Sequence, residues 1–174
     1  MTTLRRLTTV TDAHLQALTA LLIDCVEGGA SVSFMLPLTA ERAQAFWQHV
    51  AQGVHDGERA LLVAEDEHSV IVGTVQLVLD QPENQPHRAD LAKLLVRRRA
   101  RRYGLGERLM RAAEDTAREC GKTLLVLDTV TGGDAERLYA RLGWQRVGSI
   151  PDYAMWPQGG LCATTYFYRR VDAR

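Results

Sequence analysis

The period of apolar and polar positions changes several times along the chain, and each change marks an element. Residues 4–10 read as a short strand. Asp12 is placed to cap the helix that follows, whose Leu15, Leu18, Leu22 and Val26 fall on one stripe. Gly28-Gly29-Ala30-Ser31 stops that helix. Thr39 is placed as N-cap of a second helix over residues 40–54, with Ala43, Phe46, Trp47 and Val50 facing inward and Gly57 punctuating its end. Residues 60–65 and 70–79, rich in Val, Ile and Leu, flank the polar turn Asp66-Glu67-His68-Ser69 and predict a β-hairpin. Gly73 inside the second of these strands points to a bulge or a close backbone approach.

Residues 81–87, with Pro82 and Pro86, form a loop, and 89–96 are the next strand. Leu105, Leu109, Ala113 and Ala117 then recur at helical spacing, with Met110 beside them, until Gly121. Residues 123–127 are continuously apolar, as a strand near the sheet centre requires. A short helix over 135–142 closes at Gly143. Two last strands, 144–150 and 162–171, are separated by a loop over 151–160. The order β-α-α-β-β-β-α-β-α-β-β predicts an α+β fold around one mixed sheet, and with no repeat or linker the expectation is one domain over 1–174.

Charge adds a local feature and no global one. Lys+Arg and Asp+Glu are both 21, so the balance gives no reason to expect nucleic acid or a membrane surface as partner. Cys25, Cys120 and Cys162 are odd in number and lack C-x-x-C spacing, which predicts a reducing, cytoplasmic setting without disulfides. No apolar run reaches the ~18–20 residues of a membrane span, and the N-terminus lacks a signal-peptide core. The five histidines show no metal-ligand spacing, so no metal is expected. Arg97, Arg98, Arg99, Arg101 and Arg102, by contrast, crowd just before Gly104-Leu105-Gly106 and the helix they open.

A glycine-rich helix mouth suits a phosphate, because the first N–H groups of the helix lack internal partners and its dipole is positive there. A G-x-x-x-x-G-K-[ST] loop is absent. The dinucleotide pattern G-x-G-x-x-G fails at Leu109 and follows an antiparallel hairpin here rather than the first strand of a βαβ unit. What is present is Leu94-Leu95-Val96, then Arg101-Arg102-Tyr103-Gly104-Leu105-Gly106, then a long amphipathic helix. Further on, Ala135, Leu138, Tyr139, Gly143 and Trp144 complete A-x-x-[LF]-Y-x-x-x-G-[FWY].

These two segments, in this order, resemble the GCN5-related N-acetyltransferase (GNAT) superfamily across nearly the whole chain. Residues 28–35 and Leu127-Asp128-Thr129 look most like its tabtoxin-resistance branch. Gly132 is a departure, since many relatives carry Asn there. The resemblance implies a sheet splayed between its fourth and fifth strands, acetyl-CoA as co-substrate, and direct acetyl transfer to an amine in a ternary complex. It implies that Arg101, Arg102, Gly104, Leu105, Gly106 and Glu107 hold the pyrophosphate, and that Leu94, Leu95 and Val96 serve the acetyl and pantetheine groups. Leu94 N–H is the oxyanion donor in this scheme. Tyr139 is the expected acid for the departing thiolate.

A free alkylamine is mostly protonated at neutral pH, its pKa being ~10, so an acceptor must lose a proton before it attacks. Asp90 and Asp128, at strand ends flanking the expected splay, are the candidate bases. Ser31, Phe34 and Tyr153 are expected to line a pocket for a compact amine, and antibiotic or antimetabolite detoxification is the role the nearest branch suggests. The rival readings are a protein N-terminal or lysine acetyltransferase and a non-catalytic acetyl-CoA sensor. Family members are often dimers, which leaves a homodimer open.

Overall fold

A computed structural model describes residues 2–172; Met1, Ala173 and Arg174, the ends of the expected domain, lie outside the described residues. Its elements are β1 (Thr3–Leu7), α1 (Asp12–Glu27), α2 (Ala40–His55), β2 (Arg59–Glu65), β3 (Ile71–Val78), β4 (Arg88–Val96), a single 3-10 turn (Arg98–Ala100), α3 (Leu105–Glu119), β5 (Leu124–Val130), α4 (Asp134–Arg141), β6 (Gln145–Met155) and β7 (Leu161–Arg170). The seven strands form one sheet in the order β1-β2-β3-β4-β5-β7-β6. The element order and the α+β class are those read from the sequence.

Strand alternation gives the sheet two apolar faces, each covered by helices. One face carries Ala60, Leu62, Val75, Leu91, Leu125 and Phe167 under Leu109, Met110 and Ala113 of α3 and Tyr139 of α4. The other carries Leu61, Val63, Ile71 and Leu95 under Leu18, Leu22, Trp47 and Val50 of α1 and α2. Gly73 lets α3 sit close, because a Cβ there would lie 3.0 Å from Leu109 Cδ1. A bulge adjoins it, where the pairing steps from Ala64↔Gly73 to Glu65↔Ile71.

The functional consequence lies at the middle of the sheet. β4 and β5 run parallel and pair only over Arg88–Asp90 against Leu124–Val126. β5 stays paired to β7 out to Val130, while β4 stays paired to β3 out to Val96. Beyond Asp90 and Val126 the two strands therefore diverge, and each leaves backbone groups facing the gap. This is the expected splay.

Two local readings are corrected. The N-cap of α1 is Thr11, whose side chain accepts from His14 N–H while its own N–H donates to His14 Nδ1; Asp12 sits in the first turn, where its charge suits the helix dipole. β6 continues to Met155, so most of the expected 151–160 loop is strand or tight hairpin. β6 is an edge strand, which tolerates Pro151, and its pairing skips from Ile150 to Ala154 around Asp152, whose φ is 52°.

Candidate active site

The glycine turn is built as the helix mouth required. Gly104 is the N-cap of α3 with φ 73° and offers no side-chain cap. The first helical bond runs from Arg108 N–H to Gly104 C=O, so the N–H groups of Leu105, Gly106 and Glu107 have no intrahelical acceptor. Leu105 is buried and anchors the turn, while Arg101, Arg102 and Glu107 are exposed. Gly106 has a second role, since a Cβ there would meet Leu138 Cδ2 of α4 at 3.2 Å.

The arginines before it divide their work. Arg98 donates from its backbone N–H and from Nε to the Asp24 carboxylate, each at 2.9 Å, and Arg99 Nη2 donates to Asp66 Oδ2 at 3.0 Å. Burial pushes the Asp24 carboxyl up, but the Arg98 bonds outweigh it and hold it below its ordinary value. Arg98 and Arg99 thus anchor the loop to α1 and to the β2–β3 turn. Arg101 Nε donates to Val96 C=O at 3.0 Å. Arg102, with φ 69°, makes no side-chain hydrogen bond or ion pair with described residues and is free for a ligand.

The Gly73↔Val96 register, with Arg97 N–H donating to Val72 C=O, places the Val96 N–H and C=O away from β3, toward the splay. Leu95 is buried, and Leu94 is partly buried against the α3-side core. A bulge precedes them, because the register passes from Gln76↔Ala92 to Thr74↔Leu95 and Lys93 has φ 54°.

Tyr139 projects from α4 into the core and is 5% exposed, with its ring centroid 6.1 Å from Trp144 and 5.9 Å from Phe167. Burial raises its phenol above the ordinary value, and the charge of Asp128 raises it further, so the hydroxyl keeps its proton through the neutral range. The hydroxyl has no hydrogen-bond partner among the described residues. Gly132, in the turn before α4, has φ 81°, a conformation that Asn also tolerates, and its N–H is taken by Glu136 Oε2.

The two candidate carboxylates differ. Asp90 is bound on both oxygens, by Arg88 Nη1 and by Gln81 Nε2 at 3.3 Å. Asp128 lies just past the last β4–β5 pair, is exposed, and accepts from Thr164 Oγ1 at 2.8 Å. It lines a cavity of about 290 Å³ with Ser31, Ser33, Phe34, Met35, Tyr153 and Thr164. The three residues expected at the acceptor pocket are therefore brought together with Asp128, and Asp90 is held by its own neighbours outside that lining.

The cavity is bordered on one side by a strap. Residues 28–39 cross to the β6–β7 hairpin, where Leu36 N–H donates to Pro157 C=O at 2.8 Å and Ser31 Oγ to Met155 C=O at 3.2 Å. Tyr153 and Tyr166 share a hydroxyl contact of 2.9 Å, which pushes Tyr166 up to about 12, with burial and Asp128 contributing. A larger depression of about 530 Å³, around Arg6, Asp56, Cys120 and Lys122, lies at the other end of α3, ~22 Å from the glycine turn at 1.5 Å per residue. None of the candidate site residues lines it.

Two features escape a reading of the sequence. Lys93, whose Nζ donates to Ser33 Oγ of the cavity lining at 3.1 Å, has the pattern of one more strand residue, because nothing but a glycine advertises a positive φ. Glu114, inside α3, is 2% exposed, accepts from Trp144 Nε1 at 3.1 Å and lies 3.2 Å from Arg169 Nε. The one signal for it is position, since it follows Ala113 directly and stands a helical turn after Met110, both on the buried stripe.

A splayed mixed sheet with an uncapped glycine helix mouth beside the gap defines an acyltransferase of one known architecture. The sequence profile of the Acetyltransferase (GNAT) family matches residues 18–144, and the chain belongs to that family. It is an N-acetyltransferase by the same comparison and by kinship. A relative from Azospirillum brasilense, an uncharacterized N-acetyltransferase in the hisH–hisA intergenic region, is 33% identical over 128 residues, which are 72% of this chain and 74% of that protein. Among solved structures, yncA of Salmonella typhimurium with its cofactor acetyl-CoA superposes with a TM-score of 0.79 at 20% identity, covering 100% of this chain and 96% of that one. A phosphinothricin acetyltransferase of Sinorhizobium meliloti in complex with acetyl-CoA gives 0.79 at 16%, covering 98% and 88%. A ribosomal-protein-alanine N-acetyltransferase of Brucella melitensis gives 0.78 at 24%, covering 97% and 99%. These likenesses establish the fold. Among the described residues no helix is long and apolar enough to cross a membrane.

Proposed function

We propose that this acetyltransferase draws its acetyl group from acetyl-CoA and passes it to a small amine seated beside Asp128. The donor supplies an electrophilic thioester carbonyl and a thiolate leaving group; the protein must hold the phosphates, polarise the carbonyl and manage two protons. The free N–H groups of Leu105, Gly106 and Glu107 fit a pyrophosphate, with Gly104 allowing close approach and Arg102 adding charge. Val96 N–H faces the splay, where it fits a pantetheine amide. Its carbonyl is already engaged by Arg101, so Arg101 acts by shaping the loop. Leu94 N–H serves as the oxyanion donor.

Asp128 attracts the ammonium and takes its proton, directly or through water. Asp90 is the weaker candidate, since Arg88 and Gln81 already hold both oxygens. Tyr139, kept protonated by burial and by Asp128, donates to the departing sulfur.

The observation that carries the small-molecule reading is the strapped cavity of about 290 Å³. A polypeptide acceptor needs an open groove along which to enter and leave, and here the strap, tied to the β6–β7 hairpin by the Leu36–Pro157 bond, borders one side of the space through Ser31, Ser33, Phe34 and Met35. The fold does not choose, because structural relatives named for phosphinothricin and for a ribosomal protein superpose equally well. We place the chain nearest the tabtoxin-resistance branch on its 28–35 segment, with self-protection against an amine-bearing antimetabolite as its role. Three free cysteines support a reducing, cytoplasmic setting. Thiol release from acetyl-CoA, measured across small amines and across peptides with free N-termini or lysines, tests the reading. Turnover with small amines alone supports it; turnover confined to peptides overturns it.

A further inference from the structure

The donor turn and the acid stand on different helices, and the transfer needs them in one frame. The glycine turn opens α3, whereas Tyr139 projects from α4, a helix of 8 residues. A bond to the departing sulfur tolerates little error, since a misplacement of ~1 Å costs on the order of 10²-fold in rate. Two contacts set α4 against α3. One is apolar, where Leu138 packs on Gly106 so closely that a Cβ there would stand 3.2 Å from its Cδ2. The other is ionic and buried, at Glu114, about two helical turns further along α3.

α4 ends in a turn that Gly143 makes with a φ of 82°. Gly143 N–H donates to Ala140 C=O at 3.1 Å, and Trp144 N–H donates to the C=O of Tyr139 itself at 3.0 Å. Trp144 therefore holds Tyr139 by its backbone and also stands 6.1 Å from its ring. The Trp144 indole is held in turn, with Nε1 donating to Glu114 Oε1 at 3.1 Å. Glu114 Oε2 lies 3.2 Å from Arg169 Nε, and Arg169 Nη1 donates at 2.7 Å to the C=O of Leu142, the C-cap of α4. Arg169 Nε makes no hydrogen bond among the described residues, so charge is what draws it to the carboxylate. Glu114 thus reaches the C-terminal turn of α4 by two routes, one of which ends on Tyr139.

Packing does not ask for a charge at this place. Leu109, Met110, Ala113 and Ala117 fill the same stripe of α3, and a buried ion pair is commonly no more stable than apolar side chains of its volume. What the carboxylate adds is direction, because its two oxygens hold two partners at fixed positions.

We propose that Glu114 is a positioning residue for the transfer: through Trp144 and Arg169 it sets where α4 carries Tyr139 relative to a donor bound on α3. Glu114 touches neither substrate and acts through Tyr139. The inference rests on the acid role of Tyr139 proposed above, and it requires that the two residues be coupled. Once the phenol oxygen is gone, Glu114 has nothing left to aim.

Glu114→Gln keeps an acceptor for Trp144 and gives up the charge that holds Arg169. It is compared with wild type, Tyr139→Phe and the double variant in steady-state thiol release, at saturating acetyl-CoA and with the best acceptor from the assay above. Glu114→Gln should lower kcat ~10-fold beside Tyr139 and less than ~2-fold beside Phe at that position. Acetyl-CoA affinity by calorimetry should stay within ~3-fold of wild type, because the glycine turn is untouched. Trp144→Phe leaves a ring against Tyr139, drops the indole N–H, and should show the same coupling; it replaces Glu114→Gln in the cycle if that variant fails to fold. Loss of kcat by less than ~2-fold, or by the same factor in both backgrounds, overturns the positioning role and leaves Tyr139 as the acid. A Tyr139→Phe rate within ~3-fold of wild type overturns both.

Discussion

Replacing Tyr139 by Phe removes one oxygen and isolates the proposed acid. The ring is 5% exposed and packs between Trp144 and Phe167, contacts that Phe keeps. Its hydroxyl makes no hydrogen bond to described residues, so stability should change by less than ~1 kcal/mol. The catalytic effect follows from the phenol's proton affinity. A thiol ionises near ~8.5 and an ordinary phenol near ~10, and Tyr139 is raised above that. Full transfer to the sulfur is therefore uphill, and the phenol works mainly by donating a hydrogen bond to the developing thiolate. That places the loss at the lower end of the range for general acids, ~10²-fold in kcat or ~2.7 kcal/mol, with acetyl-CoA affinity unchanged within ~3-fold. The same reasoning fixes a pH dependence. A group with raised pKa keeps its proton at every pH below that value, so the rate should rise with pH as the amine deprotonates and show no fall from Tyr139 up to about pH 10. Steady-state thiol release with a saturating donor, on both proteins from about pH 6 to 10, measures it. A Tyr139→Phe rate within ~3-fold of wild type, or a falling limb near neutrality that vanishes in the variant, would refute the assignment.

Other predictions follow from single contacts. Gly106→Val forces a branched side chain against Leu138 Cδ2, where even a bare Cβ would stand at 3.2 Å, and should displace α4 and Tyr139; kcat is expected to fall ~10-fold or more, with measurable acetyl-CoA binding retained by calorimetry. Glu114→Ala leaves the Trp144 N–H and Arg169 without their buried partner, and should cost about 3 kcal/mol, lowering Tm by ~6–12 °C in a chain of this size by differential scanning calorimetry. Asp24→Asn removes the charge that anchors Arg98 and should weaken acetyl-CoA binding several-fold. In the wild type the Asp24 carboxyl lies below its ordinary value, so its contribution to stability is present above ~pH 4 and is lost as pH falls through the lower folded value, which acid unfolding of the two proteins compares.

The features legible in the sequence are those a local pattern can carry. The helix stripe after Leu105, the hairpin around Asp66 and the glycine mouth at Gly104 each rest on neighbours within a few residues, and all three are present in the fold. The features that stay hidden depend on contacts far along the chain. Arg98 and Arg99 have the sequence position of phosphate ligands, yet Asp24 and Asp66, 74 and 33 residues away, take them. Asp90 and Asp128 are equal as sequence, and only the closing of Arg88 and Gln81 on Asp90 separates them. The length of β6 is hidden by Pro151, a strand breaker that an edge strand accepts, and the aim of Lys93 depends on a bulge that no glycine marks.

The central claim is that the turn at Gly104 receives the pyrophosphate of acetyl-CoA. Isothermal titration of acetyl-CoA into wild type and Gly104→Asp tests it most directly. In the variant, a side chain occupies a position of φ 73° and sets a negative charge at the mouth of α3. Saturable binding to wild type with one donor per chain, lost in a Gly104→Asp protein that keeps its circular dichroism spectrum, is the predicted result. No binding to wild type, or equal affinity in the two proteins, would contradict the account.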